Sequence, residues 1–380
     1  MFISLLTIGL LLYTSAIAYG DVGIFAEAMH YVFLLIGCMS NALWYLYNKQ
    51  CFDRVFRIVG SGFYYYGDTF DATTFNNEVD KQRYLGKAQK QRYTTAFLKL
   101  IAGIIFLNTI VRAIFEWLIG KYDNVEYKDG IIRVVPIPSW FFFDPESNLH
   151  LIGGVIFEYY TTVVAGFRMV CQEVPLISIA EELCSEFQIL AKGVSLFDQR
   201  AIALYKILYG NNPGTNPMDK KKLEHCIKLC LRDSVRHHVM LRSVFYDLRR
   251  IYFLPLGVAM LVSTLLLCFS GILFTDKSVP ITVKAAFLLI LVVELAYTFI
   301  FCWYGQRIQE ASCLINDSIY NGNWRHYSET IKSYILIIKP CSEKPLKLTA
   351  AGFIDIELST FLDICKSAYS YFSLLQAFNE

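Results

Sequence analysis

The sequence predicts an all-α integral membrane protein of seven transmembrane helices, with a cytoplasmic N-terminus and an extracellular C-terminus. Some of its helices run on below the bilayer to form a cytoplasmic anchor bundle. Three observations predict this: the composition, seven apolar stretches of spanning length, and basic residues gathered on one side of them. Of 380 residues, 55% are apolar and 18% charged, against roughly 25% charged in a soluble domain. Mean hydropathy is +0.41. Such a chain cannot clothe a soluble globule in polar surface. The formal charge of +2 offers nothing to hold nucleic acid. Aromatics make up 16%, a supply suited to interfacial belts and to apolar cavities.

A bilayer core needs about 20 apolar residues of helix. The segments that qualify are about 1–19, 24–48, 97–120, 150–171, 251–275, 281–304 and 356–378. The first holds no Lys or Arg and so lacks the basic n-region of a secretory leader, and it reads as a span. The chain starts almost inside it, and a short cytoplasmic segment is expected to precede it. The sixth is the clearest, with Ala285–Val293 wholly apolar, whereas Asp363 and Lys366 interrupt the seventh. Orientation follows from the flanking charges. Nine basic residues lie from Lys49 to Lys99, and twelve from Lys192 to Arg250. The loop between spans three and four holds only Lys121, Lys128 and Arg133, and the short loops at 20–23 and 276–280 hold Lys277 alone. The second, fourth and sixth loops are therefore expected to be cytoplasmic.

This sense is opposite to that of G-protein-coupled receptors. Asp-Arg-Tyr after span three and Asn-Pro-x-x-Tyr in span seven are also missing. The eleven cysteines avoid the loops placed outside, so no extracellular disulfide is expected. The sequon Asn316-Asp317-Ser318 falls in a loop placed inside, where it stays unglycosylated. Ile177–Leu190 and Lys220–Arg250 carry apolar residues at helical spacing among charges, so spans four and five are expected to continue as helices. Asn211-Asn212-Pro213-Gly214 breaks them apart, and Tyr327–Ile338 reads as a further amphipathic helix. The expected division is 1–175 for spans one to four with the outer loop 121–149, 176–250 for the cytoplasmic extensions, and 251–304 for spans five and six. Residues 305–355 form a cytoplasmic helix and linker, and 356–380 the last helix.

Enzymatic signatures are missing. His225, Cys226, Cys230, His237 and His238 are too loosely spaced for zinc, there is no phosphate loop, and no cofactor is expected. A transporter would show repeated halves with broken helices, and the sequence has no such symmetry. Charges inside spans suggest function. Asp363 and Lys366 lie three apart and can pair along one helix face, or Asp363 can draw cations into a vestibule. Arg112 and Glu116 can pair likewise. Glu158 and Glu294 lie deeper, where a ligand hydroxyl or a neighbouring helix would satisfy them. Trp140–Phe143 reads as a lid over a cavity or as an interfacial anchor for its loop.

The last eighty residues carry a specific pattern. It runs Phe301-Cys302-Trp303-Tyr304-Gly305, then Ile319-Tyr320-Asn321-Gly322-Asn323-Trp324-Arg325-His326-Tyr327-Ser328, then Glu343 through Phe353. Leu358-Ser359-Thr360-Phe361 and Lys366-Ser367-Ala368-Tyr369-Ser370-Tyr371-Phe372-Ser373-Leu374-Leu375 follow. This order and spacing resembles the C-terminal region of the insect odorant receptors. Pro136–Asp144 resembles the family's second outer loop, and His238-Val239-Met240-Leu241-Arg242 with Leu248–Pro255 the entry to its fifth helix. The end of span seven is spaced differently from the gustatory branch, the alternative reading.

The resemblance implies an odour-tuned subunit of a heteromeric, odorant-gated, non-selective cation channel in the dendritic plasma membrane of sensory neurons. Its partners would be a shared olfactory co-receptor, a small volatile odorant and membrane lipid. Span seven would line the pore, with Leu374 and Phe378 at the positions of the hydrophobic constriction and Asp363 nearer the inner mouth. The ligand would lie in the outer halves of spans two, three, four and six. Tyr31, Phe115, Tyr159, Tyr160 and Phe287 are the expected walls, with Asn108 and Thr161 as hydrogen-bonding tips. Plain helix packing is the competing role for each of these residues.

Overall fold

The computed structural model describes residues 2–18, 21–64, 66, 73–107, 114, 118, 127–128, 131–132, 137, 139–141, 148–275, 279, 281–322, 324, 327 and 329–379. Ten helices are described: α1 (Phe2–Ile17), α2 (Val22–Tyr47), α3 (Lys49–Ser61), α4 (Thr73–Phe106), α5 (Asn148–Ser195), α6 (Phe197–Tyr209), α7 (Pro217–Thr275), α8 (Ile281–Asn321), α9 (Glu329–Glu343) and α10 (Leu358–Asn379). Strands β1 (Tyr127–Lys128), β2 (Ile131–Ile132) and β3 (Ser139–Trp140) form a small antiparallel sheet at one end of the bundle. A hairpin of β4 (Thr349–Ala350) and β5 (Ile354–Asp355) lies just before α10.

The apolar segments named from the sequence are helical over nearly all of their described residues, with Asn48 in a turn and the last helix starting at Leu358. Gly23–Tyr47, Ile152–Ser195, Pro217–Gly271 and Phe287–Asn321 are long and apolar enough to cross a membrane, and Ile3–Ile17 is a shorter apolar helix. The outer part of span three, with Asn108, Arg112, Phe115 and Glu116, lies outside the described residues.

The span extensions are continuous. α7 runs for 59 residues through Pro255 and α5 for 48 through Pro175. At 1.5 Å per residue α7 is roughly 90 Å long, about three times a bilayer core. Each proline removes one hydrogen-bond donor without ending its helix, because neighbouring helices hold both sides of it. The break at Asn211–Gly214 stands where expected, and α6 ends there on Gly210 with φ of +76°.

Three helical stretches were not expected from the sequence: α3, α6 and residues 73–96 of α4. α2 ends at Asn48, which also precedes α3; its backbone N–H bonds Trp44 O at 3.0 Å. The first part of α4 is polar and carries little apolar periodicity. It is held instead by ion pairs to α5, Arg83–Glu186 at 2.8 Å and Lys90–Glu182 at 2.7 Å. Gly86 lets the two helices approach there, since a Cβ would lie 2.7 Å from Ser185 Oγ.

These extensions build the largest core of the molecule. Phe187, Phe197, Leu204, Leu231, Phe245 and Tyr252 are buried within it, and Ile331 and Ile335 of α9 close one side. The opposite end, beside the β1–β3 sheet, holds three small clusters, centred on Leu11, Phe287 and Ile24.

Candidate functional site

The sequence-named residues fall into three places. Near the sheet end, Phe287 of α8 is buried and Tyr31 of α2 half-buried, with ring centroids 6.3 Å apart. Between them stands His30, wholly buried, its ring edge-on to Phe287 at 5.1 Å and to Tyr31 at 5.6 Å. Ala26, Leu273 and Val279 complete this nest. His30 was not named from the sequence. A histidine inside a span, one turn after Glu27, was the available signal.

On α5 the named residues diverge. Thr161 is buried, but its hydroxyl donates to Phe157 O at 2.9 Å within its own helix. Tyr159 is half-buried. Tyr160 is 53% exposed and shares an outward face with Ile156, Val163 and Phe167, so it does not join the nest. Asn108 and Phe115 lie outside the described residues.

The loop after the β1–β2 strands is pinned at the sheet end. Ser139 Oγ donates to the buried Glu158 carboxylate at 2.6 Å, and Trp140 N donates to Thr14 Oγ1 at 2.8 Å. The Trp140 ring meets Tyr13 edge-on at 4.5 Å, and Phe141 packs against Phe157. Gly154 makes room for it, because a Cβ there would lie 3.2 Å from the Phe141 ring. Residues 139–141 thus bridge α1 and α5. Phe142 and Phe143 lie outside the described residues.

Deeper in the bundle a small polar cluster sits where α2, α7 and α8 meet. Glu294 faces Ser263 Oγ at 3.5 Å, and Thr298 Oγ1 donates to Ser263 Oγ at 3.0 Å. A cavity of about 20 Å³ opens beside them, lined also by Asn41 and Tyr297. That is room for one water molecule. Glu294 is therefore met by neighbouring helices rather than by the aromatic nest.

The third place is α10, whose root is clamped. Ala351 N donates to Phe253 O at 3.0 Å, Leu346 N to Ser312 Oγ at 3.0 Å, and Leu358 N to Gln306 Oε1 at 3.2 Å. Lys347 Nζ pairs with Asp355 at 2.6 Å. The hairpin turns through Ala351 and Gly352 at positive φ. Gly305 is needed for this seat, since a Cβ there would overlap the Ile356 carbonyl oxygen. Phe361 meets Phe299 at 5.5 Å and Ile364 packs on the main core, while much of the rest of the described helix is open. Leu362, Tyr369, Tyr371 and Leu374 are exposed, Leu374 by 54%. Asp363 and Lys366 form an exposed pair at 3.5 Å. With 3.6 residues per turn, Asp363, Ser370 and Leu374 share one face. Phe378 lies in α10, but its side chain is outside the described set.

The electrostatics concentrate in the extension bundle. Glu181, Glu182 and Glu186 of α5 each meet a cation: Arg307 of α8, Lys90 and Arg83 of α4. Tyr304 Oη also donates to Glu181 at 3.0 Å. His237 Nε2 of α7 lies 3.2 Å from Glu186, and its Nδ1 is 2.7 Å from Tyr66 Oη. Burial would raise the Glu186 carboxyl, yet the hydrogen bonds from His237 and Arg83 outweigh it and hold the pKa below its ordinary value. Burial lowers the pKa of His237 despite Glu186 beside it, so the imidazole is neutral near pH 7. Arg200 completes the network, 5.0 Å over the Tyr66 ring and bonded to Gly193 O at 2.7 Å. Among the described residues, no group of three or more His, Cys, Asp or Glu side chains is placed to hold a metal ion.

The family model "7tm Odorant receptor" matches residues 21–369. The chain belongs to the odorant receptor family. Among relatives, Odorant receptor 85b of Drosophila melanogaster is 24% identical over 296 residues, covering 77% of this chain and 68% of the relative. Odorant receptor 67c of the same fly is 21% identical over 257 residues, covering 67% of this chain and 56% of the relative. The matched part of the chain thus spans between about half and two thirds of these relatives' length. The insect olfactory receptor OR5 from Machilis hrabei, solved in complex with eugenol, superposes with a TM-score of 0.76 at 11% identity. That match covers 99% of this chain and 87% of OR5. The odorant receptor is accordingly a multi-pass, all-helical membrane protein, and its relatives are receptors rather than enzymes.

Proposed function

We propose that this odorant receptor is an odour-tuned subunit of a heteromeric, ligand-gated, non-selective cation channel, assembled with a shared olfactory co-receptor in the dendritic plasma membrane of sensory neurons. The N-terminus and the extension bundle face the cytoplasm, and the sheet end and the C-terminus face outside. A small volatile binds in the apolar nest of the outer half, and α10 lines a central pore. Residues 1–175 sense the ligand, 176–250 and 305–355 form the anchor, and 356–380 form the pore element.

The observation that carries the reading is the contrast along α10. The backbone N–H groups of Leu346, Ala351 and Leu358 tie its root to α7 and α8, whereas Leu362, Tyr369, Tyr371 and Leu374 are exposed along it. A helix so presented suits an axis shared with other subunits. Leu374 then offers an apolar ring that gates by dewetting, and Asp363 a carboxylate one face-repeat nearer the cytoplasm. The basic loops support the orientation. OR5, which shares the fold, was solved with eugenol bound, which supports a small volatile as the ligand class.

Whole-cell recording tests the proposal. Cells expressing this chain together with a co-receptor should pass cation current during application of a volatile panel, and cells expressing either chain without its partner should lack that tuned response. Silence from the pair across the panel, with both chains at the surface, contradicts it.

A further inference from the structure

His30 is wholly buried, and neither Nδ1 nor Nε2 has a hydrogen-bond partner. An imidazole carries at least one N–H donor in every protonation state, and as a neutral ring also one acceptor. Buried groups of this kind are nearly always bonded, and leaving them unmet costs stability. Packing does not explain the residue. A phenylalanine would keep the edge-on contacts to Phe287 and Tyr31 and would leave no polar atom stranded. The rings it packs against, Phe287 and Tyr31, belong to an apolar cluster with Ala26, Leu273 and Val279, and the buried Glu27 one turn earlier on α2 does not bond it. The missing partner is therefore to be supplied by something that enters the nest. Tyr31, one of the two rings against it, is itself only half-buried.

We propose that His30 is the polar recognition residue of the ligand nest, and that the ligand class is a small apolar volatile bearing one oxygen function, a hydroxyl or a carbonyl. The neutral ring donates its N–H to a carbonyl or hydroxyl oxygen, and its other nitrogen accepts from a hydroxyl. Phe287 and Tyr31 cover the hydrocarbon part. A hydrocarbon of the same shape leaves the imidazole stranded, so it is discriminated against by an unmet bond rather than by size. This inference rests on the nest being the odorant site.

The test compares wild type with His30→Phe and His30→Gln in complex with the co-receptor. The probes are alcohols, ketones and alkanes matched in carbon number. Wild type should prefer the oxygenated members. His30→Phe should need at least tenfold more alcohol or ketone for half-maximal current at equal surface expression, with the alkane response unchanged or stronger. His30→Gln, which keeps a donor and an acceptor, should fall between them. A His30→Phe dose–response within twofold of wild type for the oxygenated probes overturns the proposal, as does a wild-type preference for alkanes.

A second readout separates this from failure of the odorant reading. Without ligand, purified His30→Phe should unfold at a higher temperature than wild type, because the stranded nitrogens are gone. If wild type is silent to every volatile, the odorant reading fails, and this thermal comparison still decides whether the imidazole is left for a ligand. A lower unfolding temperature for His30→Phe makes His30 a structural residue and overturns the inference.

Discussion

The two ends of the molecule solve the problem of buried polarity in opposite ways. In the extension bundle, Glu181, Glu182 and Glu186 are each answered by a cation from another helix, around one contiguous core. At the sheet end the apolar clusters are small, and both His30 nitrogens, Glu158 Oε2 and Ser270 Oγ lack partners. A carboxylate met by a cation from another helix ties the two helices into one arrangement, although Thr94 Oγ1 in the same bundle stays unmet. An unmet buried group costs stability that a partner would restore. The receptor therefore reads as a rigid base carrying an unfinished site.

The largest effect should come from breaking the base. Glu186→Ala strands Arg83 and removes the partner of His237, and it should destabilise the fold by about 3–5 kcal/mol, seen as lost surface expression or an early thermal transition. Gly305→Ala comes next. The new methyl must displace the Ile356 backbone, and an overpacking cost of about 1–3 kcal/mol falls on the seat of α10. Basal current should shift in this variant while the extension bundle keeps its protection from hydrogen exchange.

Acidification should also act on the base, with a defined sign. His237 has its pKa lowered from 6.5 in the folded state, so its contribution is full above that value and is lost as pH falls below it. Glu186 is lowered from 4.5, and its contribution is lost as pH falls through the still lower folded value. Unfolding temperature should hold level above about pH 6.5 and decline in acid, first through His237 and then through Glu186. In Glu186→Ala the lower limb should vanish. The smallest effect is expected at Tyr160. Its outward position predicts that Tyr160→Ala changes stability by no more than about 0.5 kcal/mol and leaves odorant sensitivity unchanged. A strong loss of sensitivity would return Tyr160 to the ligand site.

The spans were legible because about 20 apolar residues in a row have few other uses. The continuation of spans four and five, and the break at Asn211–Gly214, followed from helical spacing and turn chemistry. The first part of α4 was not legible, because ion pairs to α5 rather than an apolar stripe hold it. In the site, Tyr31 and Phe287 do come together. Tyr159, Tyr160 and Thr161 could not be sorted, since apolar residues surround the 150–171 helix on every side and no single polar face stands out. His30 was passed over for its aromatic neighbour, although its polarity was the stronger signal. The bare flank of α10 is visible only once the other helices are in place.

The central claim, that the last helix of this odorant receptor lines an odorant-gated pore, is tested most directly by recording basal and odorant-evoked current from Leu374→Ser in complex with the co-receptor. A polar ring in place of the apolar one should wet the constriction, raising basal current and shrinking the fraction that odorant can add. Basal current, conductance and odorant response all equal to wild type, at equal surface expression, would contradict the account.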